Sequence, residues 1–449
     1  MAVRFLLSLA CAATQPPLLV EAPGSPVYVG PEPSAPVLAD FDGNGTLDVV
    51  VVHAATGEVS VLLGDGRGRL RPRPGPRATT GIRDARWTAT GDVNRDGRPD
   101  LAVASHEDAF KVAVWLGDGR GGFDPAPGSP VASRDSADPH THGIALGDMN
   151  GDGALDLVTA NAGRADFGFE NSLSVLLGDG RGWFVPAQGS PFKIGRMPAS
   201  LVTADLDGDH DLDVVTTNEA SHDLSIVLGD GRGRATAAAP VPLAGQGMIP
   251  GDLDGDGDAD IVVTTDDATR LRVLLGDGHG GFVPAPDPPL ALGHQAWSLR
   301  IADMDRDGRM DVVAAGAPGH VSVFLGTGGG RLRAAPGSPW RTGRLPAVAV
   351  GDLDHDGRPD VVTANRETGD LTILLSHGMG RWQPLGEAAV KRTSAPSRAA
   401  AEQPPRCPAI GTAGSSGWSY SSRPADRRGT RVQGEPRSPR GRRSRPPRP

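Results

Sequence analysis

The most constraining feature of this sequence is a nine-residue acidic segment that occurs seven times. Successive copies begin 47 to 57 residues apart, with a mean spacing of 52 residues. A fixed period of this length indicates an array of similar supersecondary units that bury their apolar faces against one another. The copies are DFDGNGTLD, DVNRDGRPD, DMNGDGALD, DLDGDHDLD, DLDGDGDAD, DMDRDGRMD and DLDHDGRPD, beginning at residues 40, 92, 148, 205, 252, 303 and 352.

One repeat, residues 197–250, shows how each unit is built. The apolar segment MPASLVTADL leads into the acidic loop, and LDVVTTN leaves it as a second strand. A polar turn precedes LSIVLGDG, a third strand that ends in a Gly-Asp-Gly turn, and a weaker fourth strand follows. No window has the 3.6-residue periodicity of a helix. Seven four-stranded units predict an all-β fold, a seven-bladed β-propeller.

The N-terminal region contains a segment that is out of place in this pattern. The connector APGSPV, which recurs at 126–131 and in related form at 187–192 and 335–340, also occurs at 22–27, before the first acidic loop. We expect this orphan strand to complete the last blade and close the ring. The alternative is closure by the segment RWQPLGEAAVKR at 381–392.

Charge and composition divide the chain into three segments. Residues 391–449 contain 14 Arg and Lys against 3 Asp and Glu, so the first 390 residues carry a net charge of −20. We expect 1–19 to be a short signal peptide or an extra strand, 20–390 to be the propeller, and 391–449 to be a disordered basic tail rich in Pro, Arg and Ser. The acidic body argues against a nucleic-acid partner.

The cysteines, the apolar segments and the absence of catalytic motifs exclude further classes of protein. Cys11 and Cys407 lie outside the repeats, so no disulfide framework holds the fold. No run reaches the roughly 18 apolar residues of a transmembrane segment. No nucleophile or phosphate-loop motif is present, so no catalytic residues are predicted. We expect a monomer.

The acidic loops have the composition of calcium ligands. Positions 1 and 9 are Asp in every copy, position 3 is Asp or Asn, position 5 is Asp or Asn, and position 6 is Gly in six copies. Position 7 varies freely, which suits a residue that contributes its backbone carbonyl. Such oxygen donors, with water, supply the six to eight ligands that Ca²⁺ prefers.

The predicted metal ligands, at positions 1, 3, 5, 7 and 9, provide up to seven Ca²⁺ sites. They are Asp40, Asp42, Asn44, Thr46 and Asp48; Asp92, Asn94, Asp96, Arg98 and Asp100; Asp148, Asn150, Asp152, Ala154 and Asp156; Asp205, Asp207, Asp209, Asp211 and Asp213; Asp252, Asp254, Asp256, Asp258 and Asp260; Asp303, Asp305, Asp307, Arg309 and Asp311; and Asp352, Asp354, Asp356, Arg358 and Asp360.

Two details refine this prediction. Position 6 should adopt a left-handed backbone, so His210, which replaces Gly there, should make the fourth site the weakest or differently shaped. The three position-7 arginines should point outward. The loops are not EF-hands, because position 12 is never acidic and the flanking segments are strands.

The motif D-x-[DN]-x-[DN]-G-x-x-D between two strands, followed by segments such as VLLGDGRG and APGSPV, resembles the FG-GAP/VCBS repeat family over about residues 20–390. The α-subunit head of integrins is a familiar member. The resemblance implies a seven-bladed propeller with calcium in the blade hairpins and a role in adhesion or ligand binding.

We therefore expect an extracellular or cell-surface binding module, not an enzyme, whose ligand is a protein or a carbohydrate held on a propeller face. The alternative is a propeller-fold enzyme, such as a polysaccharide lyase or hydrolase with a calcium-supported pocket. His140 and His142 are a weak candidate for a transition-metal site. The tryptophans of the repeats are expected to pack in the core, whereas exposure at blade junctions would suit a sugar ligand.

Overall fold

The computed structural model describes residues 17–106, 111–132, 141–162 and 171–377. These residues form 34 β-strands and no helix. Because no described segment is a helix, none provides an apolar helix that could span a membrane. The strands form seven antiparallel sheets, here called blades 1 to 7 after the acidic loop that each contains.

The strand bounds are as follows. The N-terminal strands are β1 (Leu19–Glu21) and β2 (Val27–Tyr28). Blade 1 contains β3 (Pro33–Ala39), β4 (Asp48–His53), β5 (Glu58–Gly64), β6 (Leu70–Pro72) and β7 (Ala78–Thr79). Blade 2 contains β8 (Ala85–Gly91), β9 (Asp100–Ser105), β10 (Lys111–Gly117), β11 (Phe123–Pro125) and β12 (Val131–Ala132). Blade 3 contains β13 (Thr141–Gly147), β14 (Asp156–Asn161), β15 (Ser172–Gly178), β16 (Phe184–Pro186) and β17 (Phe192–Lys193).

Blade 4 contains β18 (Pro198–Ala204), β19 (Asp213–Asn218), β20 (Asp223–Gly229) and β21 (Ala235–Ala237). Blade 5 contains β22 (Met248–Gly251), β23 (Asp260–Thr264), β24 (Arg270–Gly276), β25 (Phe282–Pro284) and β26 (Leu290–Ala291). Blade 6 contains β27 (Ser298–Ala302), β28 (Asp311–Gly316), β29 (His320–Gly328), β30 (Arg331–Ala334) and β31 (Trp340–Arg341). Blade 7 contains β32 (Pro346–Gly351), β33 (Asp360–Asn365) and β34 (Asp370–Ser376).

The blades are arranged as a ring, which confirms the predicted seven-bladed propeller. The first strand of each blade contacts the first strand of the next blade, and β32 of blade 7 contacts β3 of blade 1. The second strands are buried along their whole length, because they consist mainly of Val, Ala, Leu, Ile and Thr and are covered by a neighbouring blade on each face. The apolar core is accordingly divided into seven clusters that lie between blades.

The ring is closed by the N-terminal strand, as expected. Strand β1 is the fourth strand of blade 7 and pairs antiparallel with β34, with Leu19 opposite Ser376. Leu18 and Leu19 are fully buried, and the Trp340 indole donates a hydrogen bond to the carbonyl of Leu19 at 2.9 Å. The connector at 22–27 contributes to β2, a two-residue strand that also pairs with β34. The alternative segment, 381–392, lies outside the described residues.

Candidate metal-binding loops and their surroundings

The seven acidic loops lie at one end of the ring. Each loop connects the innermost strand of a blade to its second strand, and the position-9 aspartate is the first residue of that second strand. In blade 6, for example, β27 ends at Ala302, the loop begins at Asp303, and β28 begins at Asp311. The strand-to-strand connection that the sequence predicted is therefore present in all seven blades.

The position-9 aspartates are completely buried and connect two parts of each blade. In blade 6, one oxygen of Asp311 accepts a hydrogen bond from the backbone N–H of Met304 at 2.8 Å, and the other accepts one from Gly326, on the third strand, also at 2.8 Å. Equivalent pairs occur in every blade, at 2.7–2.9 Å. These carboxylates therefore hold the loop against the third strand.

The position-1 aspartates shape the loop from inside. Asp40 accepts hydrogen bonds from the backbone N–H groups of Gly43, Asn44 and Gly45 at 2.7–3.0 Å. For these N–H groups to point at one carboxylate, the loop backbone must curve around it, which requires a left-handed conformation at position 6, as predicted. His210, at position 6 of the fourth loop, adopts φ 70°. The His210 side chain is 94 % exposed, and its Nδ1 lies 3.4 Å from a carboxylate oxygen of Asp205.

Position 4 is a second left-handed site that the sequence analysis missed. Three non-glycine residues occupy it, Arg95, Arg306 and His355, with φ of 59°, 62° and 61°. The other four copies have Gly at this position, and this pattern could have predicted the left-handed backbone.

Carboxylates converge in five of the loops. In each, three carboxylates offer one oxygen apiece, all within 4.8 Å of one another. The triads are Asp40, Asp42 and Asp48; Asp205, Asp207 and Asp213; Asp252, Asp254 and Asp260; Asp303, Asp305 and Asp311; and Asp352, Asp354 and Asp356. The second and third loops form no such triad because Asn94 and Asn150 replace the position-3 carboxylate. These groups can hold metal ions; the complete ligand sets remain predictions.

Burial and repulsion from neighbouring carboxylates raise the pKa values of the position-9 aspartates. Burial, opposed by the two backbone hydrogen bonds and assisted by neighbouring carboxylates, raises the pKa of Asp311 and Asp360 to about 7. The same causes raise the pKa of Asp48, Asp100, Asp156 and Asp213 to about 6. Without a cation, the loops therefore hold their negative charge at a cost.

Two buried carboxylate oxygens in these loops lack a hydrogen-bond partner, and this observation indicates whether the loops fit a cation. The Oδ1 atoms of Asp305 and Asp352 are buried and have no hydrogen-bond partner. A buried carboxylate oxygen without a partner is costly, and a cation bound between the neighbouring carboxylates would satisfy it. The donor set consists only of oxygen, which favours Ca²⁺ or Mg²⁺ over softer metals.

The loops also connect neighbouring blades. The carbonyl of Phe41, in the first loop, accepts a hydrogen bond from the N–H of Gly121, in the Gly-Asp-Gly-Arg-Gly turn of blade 2, at 2.8 Å. Arg95, in the second loop, donates to the carbonyl of Asp152, in the third loop, at 2.7 Å. A cation in one loop would therefore stabilise the junction with the next blade as well as its own hairpin.

The position-7 arginines do not all point away from the protein. Arg309 pairs with Asp307 of its own loop at 3.0 Å, and Arg98 lies 3.8 Å from Asp96. Arg358 reaches across the blade junction and donates to the carbonyl of Asp305 at 3.3 Å. The expectation of outward arginines is thus wrong for Arg358, because the loop of the preceding blade lies within its reach.

An aromatic and histidine cluster lies at the opposite end, between blades 2 and 3. The rings of Trp87, His106 and His142 have centroids 5.0–5.9 Å apart. Behind them, Asp84 Oδ2 lies 3.2 Å from His106 Nδ1, and Asp84 Oδ1 accepts a hydrogen bond from Arg86 at 2.7 Å. Although burial acts in the other direction, these two contacts hold the pKa of Asp84 well below its usual range. His140 lies outside the described residues.

Sequence analysis singled out His142 but missed His106 and Asp84, because these residues come from a different blade. The expectation that the tryptophans are core residues is also wrong in part. Trp183 is 53 % exposed and Trp297 is 38 % exposed. Trp183 lies in a turn, where its ring packs against Gly128 of blade 2 on one side, and Trp297 lies in an inter-blade connector.

A cavity of about 530 Å³ lies at the outer edge of blades 1 and 2. Its lining includes the aromatic rings of Tyr28, Trp115 and Phe123, together with Arg73 and Asp124. Tyr28 is 70 % exposed. The sequence analysis gave no sign of this cavity, because the N-terminal strand and two blades contribute to it.

The fold and the loops together define the class of protein: a seven-bladed β-propeller with an acidic loop in every blade. The profile of the FG-GAP-like repeat matches residues 40–103, 92–159, 205–263, 252–314 and 303–363, and these matches include all seven loops. They span more than half of the chain, so this chain belongs to the FG-GAP-like repeat family. No curated protein sequence matches it.

Solved structures share the fold at low sequence identity. The chain BBS1N, in a crystal structure of its complex with ARL6DN, is similar with a TM-score of 0.54 and 12 % identity, over 80 % of this chain and 98 % of that one. A putative 6-phosphogluconolactonase from Bacteroides uniformis is similar with a TM-score of 0.51 and 12 % identity, over 69 % and 85 %. These similarities extend to the fold alone.

Proposed function

We propose that this protein is a calcium-stabilised propeller that acts as a binding or adhesion module at the cell surface or outside the cell. The observation that carries the proposal is the convergence of carboxylates in the acidic loops, with buried oxygens of Asp305 and Asp352 that lack a partner. Extracellular calcium is abundant enough to fill sites of moderate affinity.

Calcium would act on the scaffold, and the ligand would bind elsewhere. The loops lie at one end of the ring, where they connect hairpins and blade junctions. The inter-blade connectors emerge at the other end, beside exposed Trp297, and the cavity beside Tyr28 offers aromatic rings and charged groups. A protein ligand would suit the connector end, and a carbohydrate would suit the cavity. The complex of BBS1N with ARL6DN is an example of a similar propeller that binds a protein partner.

The first test measures thermal unfolding of the full chain in EDTA and across a calcium titration, with magnesium as the control. Because Ca²⁺ would bind only the folded state, the unfolding temperature should rise and saturate between micromolar and millimolar calcium. Asp303→Asn and Asp305→Asn should weaken this response, whereas Asp287→Asn, outside the loops, should not. An unchanged unfolding temperature in calcium would refute the proposal.

The second test addresses the ligand. Binding of the calcium-loaded protein to a glycan array and to intact cells is compared for Tyr28→Ala, Trp297→Ala and the control Val283→Ala, whose side chain is 58 % exposed on strand β25. Loss of glycan binding in Tyr28→Ala would support the cavity, and loss of cell binding in Trp297→Ala would support the connector end. Absence of calcium-dependent binding in both assays would contradict an adhesive role.

One observation favours an enzyme as the second candidate. The carboxylate of Asp84 lies 3.2 Å from His106 Nδ1, and such a pair orients an imidazole for general-base catalysis. The test measures hydrolysis or eliminative cleavage of polysaccharide substrates. Loss of this activity in His106→Gln, together with its retention in the control His279→Gln in an exposed turn, would favour the enzyme. No turnover of such substrates would favour the binding module.

A further inference from the structure

The cavity beside Tyr28, at the outer edge of blades 1 and 2, is lined by residues that depart from the repeat. Its volume of about 530 Å³ lies within the range of about 300–1,000 Å³ that is usual for small-molecule sites. Strand register and hydrogen bonds at the outer edge identify the equivalent residues of the other blades. By this comparison, Arg73 and Trp115 differ in kind from all of their equivalents.

Arg73 stands where the other six blades have alanine. In every blade, one residue at this place donates its backbone N–H to a carbonyl of the third strand at 2.9 Å, and in blade 1 Arg73 donates to Val61. The equivalent residues are Ala22, Ala126, Ala187, Ala238, Ala285 and Ala335. Blade 1 therefore carries a long cationic side chain where the others have a methyl group.

Trp115 introduces a polar atom at a place that is otherwise purely hydrocarbon. It pairs with Pro125, and its equivalents by register are Leu62, Leu176, Val227, Leu274, Phe324 and Leu374, all of them buried. The indole Nε1 of Trp115 is buried and has no hydrogen-bond partner among the described residues. Because a buried tryptophan N–H usually has a partner, this part of the cavity wall lacks an acceptor.

The connector of blade 1 lacks a second acceptor. In blades 2, 3, 6 and 7, a connector serine accepts the backbone N–H of the third strand at 3.0–3.2 Å, as Ser129 does from Val114. Pro76 stands in place of this serine in blade 1, and the equivalent strand residue, Val61, lines the cavity. Blades 4 and 5 also lack the serine, but they have neither the arginine nor the tryptophan.

The Arg73 guanidinium adds further unused donors to this wall. Its Nε donates to the carbonyl of Arg120, in blade 2, at 3.1 Å, and it forms no ion pair with a carboxylate of the described residues. Asp118 is nearby, but one of its oxygens already accepts two backbone N–H groups at 2.7 Å. Arg77, the other arginine of the cavity, pairs with Glu58 at 3.2 Å. The groups that lack partners are therefore donors, and one of them is cationic.

We propose that this cavity binds a ligand that carries a carboxylate on a sugar ring or an aromatic ring. The planar guanidinium of Arg73 matches the two oxygens of a carboxylate, and such an acceptor would also satisfy the Trp115 N–H. Tyr28, Trp115 and Phe123 offer apolar faces for the ring of the ligand. The inference rests on the proposed binding function and adds the chemistry of the ligand.

The test measures binding to the calcium-loaded full chain by ligand-observed NMR titration. Methyl β-D-glucuronide and benzoate are the carboxylate probes, and methyl β-D-glucoside and benzyl alcohol are their neutral counterparts. At least one carboxylate probe should bind saturably, about tenfold or more tightly than its neutral counterpart. Tighter binding of the glucuronide would identify an acidic saccharide, and tighter binding of benzoate would identify an aromatic carboxylate.

Variants of the cavity wall test the assigned contacts. Arg73→Ala and Trp115→Phe introduce residue types that other blades already have at these places, so both variants should fold. Arg73→Ala should weaken carboxylate binding about tenfold or more, and Trp115→Phe, which keeps a ring but loses the N–H, about fivefold. Arg71→Ala, at an exposed position two residues from Arg73, is the matched control and should bind as the wild type does. Asp124→Asn removes an exposed negative charge from the cavity and should not weaken binding.

Three results would overturn the inference: equal affinity for the charged and neutral probes, wild-type affinity in Arg73→Ala, or no saturable binding of either carboxylate. The calcium-dependent rise in unfolding temperature is measured on the same preparation. A protein that responds to calcium but binds no carboxylate would contradict this inference alone, whereas the absence of a calcium response would contradict the proposed function.

Discussion

Truncation of Leu19 tests the closure of the ring by the N-terminal strand. Leu19 is 1 % exposed in β1, whereas its neighbour Val20 is 39 % exposed on the same strand. Replacement of a fully buried leucine by alanine removes apolar burial and leaves a cavity, which typically costs about 2–5 kcal/mol. Leu19→Ala should therefore lower the free energy of unfolding by about 2–4 kcal/mol, and Val20→Ala by less than about 1 kcal/mol.

The assay is urea-induced unfolding of the full chain in calcium, followed by tryptophan fluorescence. Trp340 is a suitable reporter, because its indole donates a hydrogen bond to the carbonyl of Leu19. Leu19→Ala should shift the unfolding midpoint to lower urea without a large change in slope. Equal midpoints for the two variants, together with a loss of stability in Trp382→Ala, would refute closure by β1 and favour the segment 381–392.

Three further predictions concern the acidic loops. Asp311→Asn should destabilise the protein by about 1–3 kcal/mol even in EDTA, because the amide nitrogen of Asn cannot accept a hydrogen bond from one of the two backbone N–H groups that donate to the Asp311 carboxyl oxygens. Arg309→Ala, at an exposed position of the same loop, should change stability by less than about 0.5 kcal/mol in the same urea assay. In EDTA, stability should fall as pH rises from about 4 to 7, because the buried carboxyls have folded-state pKa values of about 6 and 7, above the value of about 4 in the unfolded chain. Their protonated forms therefore stabilise the fold, and this contribution is lost as they ionise. Calcium should abolish that decline, and a pH-independent stability in EDTA would contradict the pKa assignments. His210→Gly should raise stability by up to about 1 kcal/mol and strengthen calcium binding by the fourth loop, measured by calorimetry, since φ at this residue is 70°; a loss of stability would mean that the contact of His210 with Asp205 outweighs the backbone strain.

Much of the fold follows from local sequence. The acidic loop has turn-forming Gly and Asp residues between apolar segments, so its position between two strands could be predicted in each repeat. The left-handed backbone at His210 followed from the Gly that occupies this position in the other six loops. These features depend on neighbouring residues along the chain, and each was present seven times.

Features formed between blades could not be predicted from the sequence. The contact of Arg358 with the preceding loop, the His106–His142 pair and the cavity beside Tyr28 all join residues that are distant in sequence. The burial of Asp311 and its two backbone hydrogen bonds could not be predicted either. An aspartate that binds a metal ion and an aspartate that accepts backbone N–H groups are the same residue in the sequence, so the motif does not distinguish these two roles.

The number of blades, their all-β character and the acidic composition of the loops follow from the sequence alone, because these properties repeat with the period of the chain. How the blades meet depends on the tertiary structure. The structure uses β1 as the closing strand and leaves Trp297 partly exposed outside the core. The physical reason is that a propeller buries its surface between units, so the environment of a side chain depends on the neighbouring blade rather than on its own repeat.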